Sequence, residues 1–150
     1  MARLLNAFSG DWSVHESFEV SARHPGASRD GTATFREGAG LSMIEEYRSN
    51  GSAGELRFLG VFWWDPVDRV YRLLSCANEE GCEVRGTLRW NGESLVNSWV
   101  ETENGRRVEY QDSFVDVRRD SFELVSEGKS DGKTVWRVRT TYSRRHGSGR

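Results

Sequence analysis

The sequence predicts an all-β fold: an antiparallel up-and-down barrel of about ten strands, led by a short N-terminal helix. Three observations carry this expectation. Five Asn-Gly or Asp-Gly steps punctuate the chain, at Asp30-Gly31, Asn50-Gly51, Asn91-Gly92, Asn104-Gly105 and Asp131-Gly132. Residues tolerant of positive φ are what the centre of a type I′ hairpin turn requires. Most of these steps are flanked by alternating apolar and polar residues, the period of a strand with one buried face. The connections are also too short to hold crossover helices, which excludes parallel pairing.

Taken in order, Arg3 to Phe8 places Leu4, Leu5 and Phe8 at helical spacing and stops at Gly10, as a short plug helix would. Strands are expected at 12–21, 31–37, 41–49, 55–64, 70–77, 82–90, 94–103, 106–117, 121–128 and 134–143. In the first, Trp12, Val14, Phe18 and Val20 share a face with Glu16, which turns His15 to solvent. In the 82–90 strand Cys82, Val84, Gly86, Leu88 and Trp90 oppose Glu83, Arg85, Thr87 and Arg89. The 55–64 strand differs, because Phe58, Leu59, Val61, Phe62, Trp63 and Trp64 leave both faces apolar. Its outward side therefore calls for a bulge, the plug helix or a second copy of the chain. Ten strands with one apolar face and no covering helix close on themselves most economically, since closure removes both exposed edges. A β-sandwich is the alternative.

Composition bounds the function. The 150 residues suffice for one core without staples, so one domain is expected over 1–150, with 144–150 a frayed tail. The 21 basic and 23 acidic side chains give a net charge of −2, and both signs are scattered along the strands. That excludes a basic face for nucleic acid or anionic membrane. Met1 to Ser9 lacks the apolar core of a signal peptide, so a soluble, cytoplasmic protein is expected.

The run Leu5-Asn6-Ala7-Phe8-Ser9-Gly10-Asp11-Trp12 resembles the Gly-x-Trp opening of calycin-type barrels. With Gly60-Val61-Phe62-Trp63-Trp64-Asp65, Tyr71, Gly86 before Asn91-Gly92, and the closing Tyr142-Ser143-Arg144, the chain is similar over residues 5–145 to the DUF1579 group of lipocalin-like bacterial proteins. That resemblance implies a barrel whose lumen holds a small molecule. It implies no chemistry, because the group has no known function.

Alternation turns Trp12, Glu16, Phe18, Phe35, Met43, Glu45, Tyr47, Leu88, Trp90, Asn97, Trp99, Glu101, Tyr110, Asp112, Phe114, Trp136, Val138, Thr140 and Tyr142 inward. This set is too polar for a solid core, since an unpaired buried carboxylate is very costly. A wet cavity lined by aromatics and a few oriented polar groups accepts it. The opposing account puts the acids at the rims or pairs them with an inward Arg72. The candidate lumen residues are therefore Glu16, Met43, Glu45, Tyr47, Arg72, Trp90, Asn97, Trp99, Tyr110, Asp112 and Tyr142.

Other constellations are weaker. Cys76 and Cys82 could face each other across a hairpin, but without a signal peptide two reduced core cysteines are expected. Their spacing is not that of a zinc knuckle. His15, His24 and His146 do not converge, which argues against a metal centre and against a haem site of the nitrobindin type. No Gly-x-Ser-x-Gly elbow supports a hydrolase triad. The expected function is thus binding of a small, partly apolar ligand, with no cofactor. Two rivals stand beside it. One is a cofactor-independent isomerase or cyclase using Glu45 or Asp112 as acid or base and Tyr47 or Tyr110 as donor. The other is a structural module that dimerises through the 55–64 strand.

Overall fold

The computed structural model describes residues 1–78 and 80–146; Glu79 and residues 147–150 lie outside the described residues. Helix α1 (Ala2–Phe8) leads into β1 (Gly10–Val20), β2 (Ser28–Glu37), β3 (Ser42–Gly51), β4 (Leu56–Asp65) and β5 (Val70–Ala77). Then follow β6 (Gly81–Val84), β7 (Thr87–Asn91), β8 (Ser94–Glu103), β9 (Arg106–Val115), β10 (Ser121–Ser130) and β11 (Lys133–Arg144). Every pairing is antiparallel. β1 pairs with both β2 and β11, and β4 pairs with β5, so the sheet closes into a barrel.

The expected 82–90 strand is interrupted. On β5 Leu74 faces Val84 of β6, and Tyr71 faces Leu88 of β7, so three steps on one strand oppose four on the other. The extra residue falls at Arg85-Gly86, where Gly86 has φ 62°. A one-residue slip exchanges the faces. Leu88 therefore points into the core, whereas Cys82 and Val84 point outward, contrary to the simple alternation; Val84 is 60% exposed. β6 and β7 act as one kinked strand, which makes the ring ten-stranded.

Three hairpin steps hold their turns. Asn104-Gly105 and Asp131-Gly132 have positive φ at both residues, between the pairs Glu103–Arg106 and Ser130–Lys133. At the third the register is one residue later than expected: Asn91 pairs with Ser94, and only Gly92 of the Gly92-Glu93 centre has positive φ. The other two steps are not turns. Asp30-Gly31 lies inside β2 opposite Asn50 and Ser49, and Gly51 ends β3. Gly31 serves close approach instead, since a Cβ there would lie 1.9 Å from the Arg48 carbonyl oxygen.

α1 plugs one end of the barrel. Leu4 and Phe8 are buried, and the Phe8 ring meets Phe35, Trp90, Phe114 and Phe122. The Trp12 indole nitrogen donates to the Phe8 carbonyl at 2.8 Å, which ties the helix to the first strand. The chain does not fray into a tail at 144 as expected. Arg144 belongs to β11, lies over the Trp12 ring at 4.2 Å and donates to the Ser9 and Arg119 carbonyls. The part of that tail at 147–150 is outside the described residues. No helix among the described residues is long and apolar enough to cross a membrane.

Candidate ligand site in the barrel lumen

The register stacks the lumen in layers. Nearest α1 lie Trp12, Phe35, Met43, Phe62, Leu88, Leu95, Phe114 and Phe122, all buried. This is the dense apolar plug that lets the next layer be polar. On β9 Asp112 stands two residues beyond Phe114 and Tyr110 four, which at about 3.4 Å per residue carries the wall about 14 Å toward the opposite mouth.

Part of the polar layer is closed. Glu16, buried at the middle of β1, accepts from the Arg29 Nε at 3.0 Å, from the Ser49 hydroxyl at 2.6 Å and from the Tyr47 hydroxyl. The arginine and the carboxylate match in charge, and two hydroxyls take the other oxygen, so this cluster is satisfied within the protein. Burial and the neighbouring Glu16 charge push the Tyr47 hydroxyl well above the usual tyrosine range, which keeps it a donor.

The rest of the layer lacks such partners. Glu45 on β3 is 5% exposed, and among the described residues neither it nor Asp112 on β9 has an ion-pair partner within 4.0 Å. Burial, then the Asp112 charge, pushes the Glu45 carboxyl up to about 8, opposed by a hydrogen bond from Tyr142. Burial pushes Asp112 up to about 6, opposed by the Ser126 hydroxyl and the more distant Arg85 charge. Asp112 therefore ionises first, and its charge then holds the proton on Glu45. Asn97, paired in register with both Asp112 and Leu88, is 1% exposed, and neither its amide nitrogen nor its oxygen is hydrogen-bonded.

The mouth away from α1 is aromatic and acidic. Trp99 stacks on Tyr110 at 5.3 Å, and Tyr110 meets Trp136 edge-on at 6.1 Å. Gly128 leaves room for the Tyr110 ring, which would lie 2.7 Å from an added Cβ. The Trp99 indole donates to Glu101 at 2.7 Å, and the Tyr110 hydroxyl donates to Glu103. Arg85 sits over the Trp99 ring at 5.1 Å and is held by Glu80 at 2.9 Å and by Glu83.

Of the candidates, Glu16, Met43, Glu45, Tyr47, Trp90, Asn97, Trp99, Tyr110, Asp112 and Tyr142 all lie on the inner face. Arg72 does not. It alternates with the buried Tyr71 and Leu73, points outward, and pairs with Asp65 at 3.2 Å and with Asp68 in the turn between β4 and β5. Trp90 and Met43 belong to the plug rather than the polar layer; Arg3 covers the Trp90 ring at 3.7 Å. The reduced-cysteine expectation is also corrected. Cys76 and Cys82 face each other directly across β5 and β6 on the outer side and form a disulfide. Sequence reasoning missed Arg29, because β2 begins at Ser28, three residues earlier than expected, and Arg85, whose face the kink exchanges.

No family model matches this chain, and no curated protein matches it. Solved structures do. Rv2717c from M. tuberculosis superposes with a TM-score of 0.65 at 10% identity, covering 96% of each chain. The redesigned β-barrel mFAP0, bound to DFHBI, gives 0.52 at 13% identity, covering 92% of this chain and 99% of its own. A fluorescence-activating β-barrel designed de novo gives 0.52 at 14% identity, covering 97% of this chain and 100% of its own. At such identities the likeness establishes the barrel fold and nothing finer.

Proposed function

We propose that this protein binds a small, partly apolar molecule in the barrel lumen. The observation that carries the reading is the unpaired carboxamide of Asn97, buried beside Asp112 in a layer that also holds Glu45 without a counter-ion. An unpaired buried polar group costs about 1–3 kcal/mol and is uncommon. Polar atoms of a ligand would satisfy it, while the aromatic mouth takes the ligand's apolar part. DFHBI held by mFAP0 is a precedent for a small ligand on this fold. The Gly10-Asp11-Trp12 opening and the Gly60–Asp65 run support placing the chain in the DUF1579 group.

Native mass spectrometry of freshly purified protein, with titration of a fluorogenic apolar dye excited through Trp99, tests the proposal. Bound mass or dye uptake that Trp99→Ala weakens is the expected result. A bare mass with no dye uptake overturns it.

One observation favours a second reading, acid–base catalysis without a cofactor. Glu45 and Asp112 lie on either side of neutrality, the split that an acid and a base require. Against it, Tyr47 and Tyr110, the donors such chemistry would use, are committed to Glu16 and Glu103. Self-association through β4 has the outward Leu59, Val61 and Trp63 in its support, and light scattering at micromolar concentration decides it.

A further inference from the structure

We propose that the lumen ligand is an organic cation, an ammonium group on an apolar or aromatic body, with Asp112 and Glu45 around its charge and the Trp99–Tyr110–Trp136 mouth along its body. The inference rests on the lumen-binding reading and adds the chemical class.

The charge inventory of the interior carries the argument. Both inward arginines are committed: Arg29 to Glu16 at 3.0 Å, and Arg85 to Glu80 and Glu83. Glu45 and Asp112 are left without a cation of their own among the described residues. Glu45 is buried and Asp112 half-buried, and a carboxylate so placed either keeps its proton or is matched by a charge from outside.

The three ligand classes then separate. An anion would meet Asp112, Glu45 and Glu101 with no free inward arginine among the described residues to receive it. A neutral ligand could satisfy the Asn97 amide but would leave the Asp112 charge unmatched. An ammonium matches the charge and serves the acceptor half of the amide: its N–H groups can donate to Asp112 and to the Asn97 Oδ1, which has no hydrogen-bond partner among the described residues. The route in suits the same class. Tryptophan and tyrosine faces attract cations. At the mouth Glu80, Glu83, Glu101 and Glu103 outnumber Arg85, which favours entry of positive charge.

The test uses three probes that share an indole body on the full chain near neutral pH: tryptamine, its neutral alcohol counterpart tryptophol, and indole-3-propionate. Calorimetry should show tryptamine binding at least about tenfold more tightly than tryptophol, with no measurable propionate binding. Asp112→Asn should remove that preference and leave tryptophol affinity nearly unchanged. Asp112→Leu is the second variant should Asp112→Asn fold poorly, and it should remove the preference in the same way. Tryptophol or propionate binding as tightly as tryptamine overturns the cation assignment and leaves lumen binding standing. Uptake of the apolar dye without tryptamine binding does the same. Failure of the dye and of all three probes overturns both readings.

Discussion

Glu45 and Asp112 stand on opposite walls of the barrel, on β3 and β9, five strands apart in either direction around the ten-stranded ring. Both carboxyls titrate above their ordinary values, Glu45 at about 8 and Asp112 at about 6. The folded chain therefore holds these protons more tightly than the unfolded chain. The resulting stabilisation is complete below about pH 4 and is lost as pH rises through 6 and then 8. Thermal melts should give a falling Tm between about pH 4 and pH 8, and Glu45→Gln should flatten the upper part of that fall. At the alkaline end the variant should be more stable than wild type by roughly 1–4 kcal/mol. A wild-type melt independent of pH over that range would mean that neither proton is held.

The glycines of the Asx-Gly steps have two different jobs, and substitution should separate them. Gly92 sits at φ 62° with open space around it, so Gly92→Val suffers backbone strain of about 1–3 kcal/mol. Gly31 has ordinary φ, but a Cβ there would strike the Arg48 backbone at 1.9 Å. Gly31→Ala must push β2 from β3 and should lower the denaturation midpoint more than Gly92→Ala does. The reverse order would restore Asp30-Gly31 as a turn.

Much of this architecture is legible in the sequence because strand faces depend only on period 2. From Trp12 to Tyr142 the inward set is as alternation assigns it, including the costly Glu45, Asn97 and Asp112. The failures occur where that rule has no purchase. Residues 70–77 are apolar on both faces, so only the pairing with β4 turns Arg72 outward, where Asp65 and Asp68 receive it. The extra residue at Arg85-Gly86 is invisible to a fixed period, which puts Arg85 on the wrong side. The partner of Glu16 escapes notice for a similar reason: Asp30-Gly31 reads as a turn, so Arg29 reads as loop.

The disulfide closes a loop with a sequence separation of only 6 on the outer face of β5 and β6. A loop that short restrains the unfolded chain modestly, by about 2 kcal/mol. Cys76→Ser with Cys82→Ser should therefore lower stability by about that amount and leave dye uptake by the lumen intact, because both sulfurs lie outside the barrel. Loss of dye binding in a folded double variant would show that β6 shapes the mouth through this bond.

The sharpest contrast is between two inward acids given the same substitution. Glu16→Leu leaves Arg29, with a side chain 9% exposed, without its carboxylate and strips the Tyr47 and Ser49 hydroxyls of their acceptor. Removing one partner of a buried pair costs roughly 3–5 kcal/mol. Asp112→Leu removes a carboxylate with no cation of its own, since Arg85 remains held by Glu80 and Glu83. Only the Ser126 contact is lost, so urea denaturation should find this variant as stable as wild type or more so at neutral pH. The same substitution should abolish tryptamine binding. A gain in stability coupled to a loss of binding is the mark of a group held in place for a ligand rather than for the fold. Equal destabilisation by the two variants would make Asp112 a structural residue like Glu16 and leave the lumen without a charged contact for its ligand.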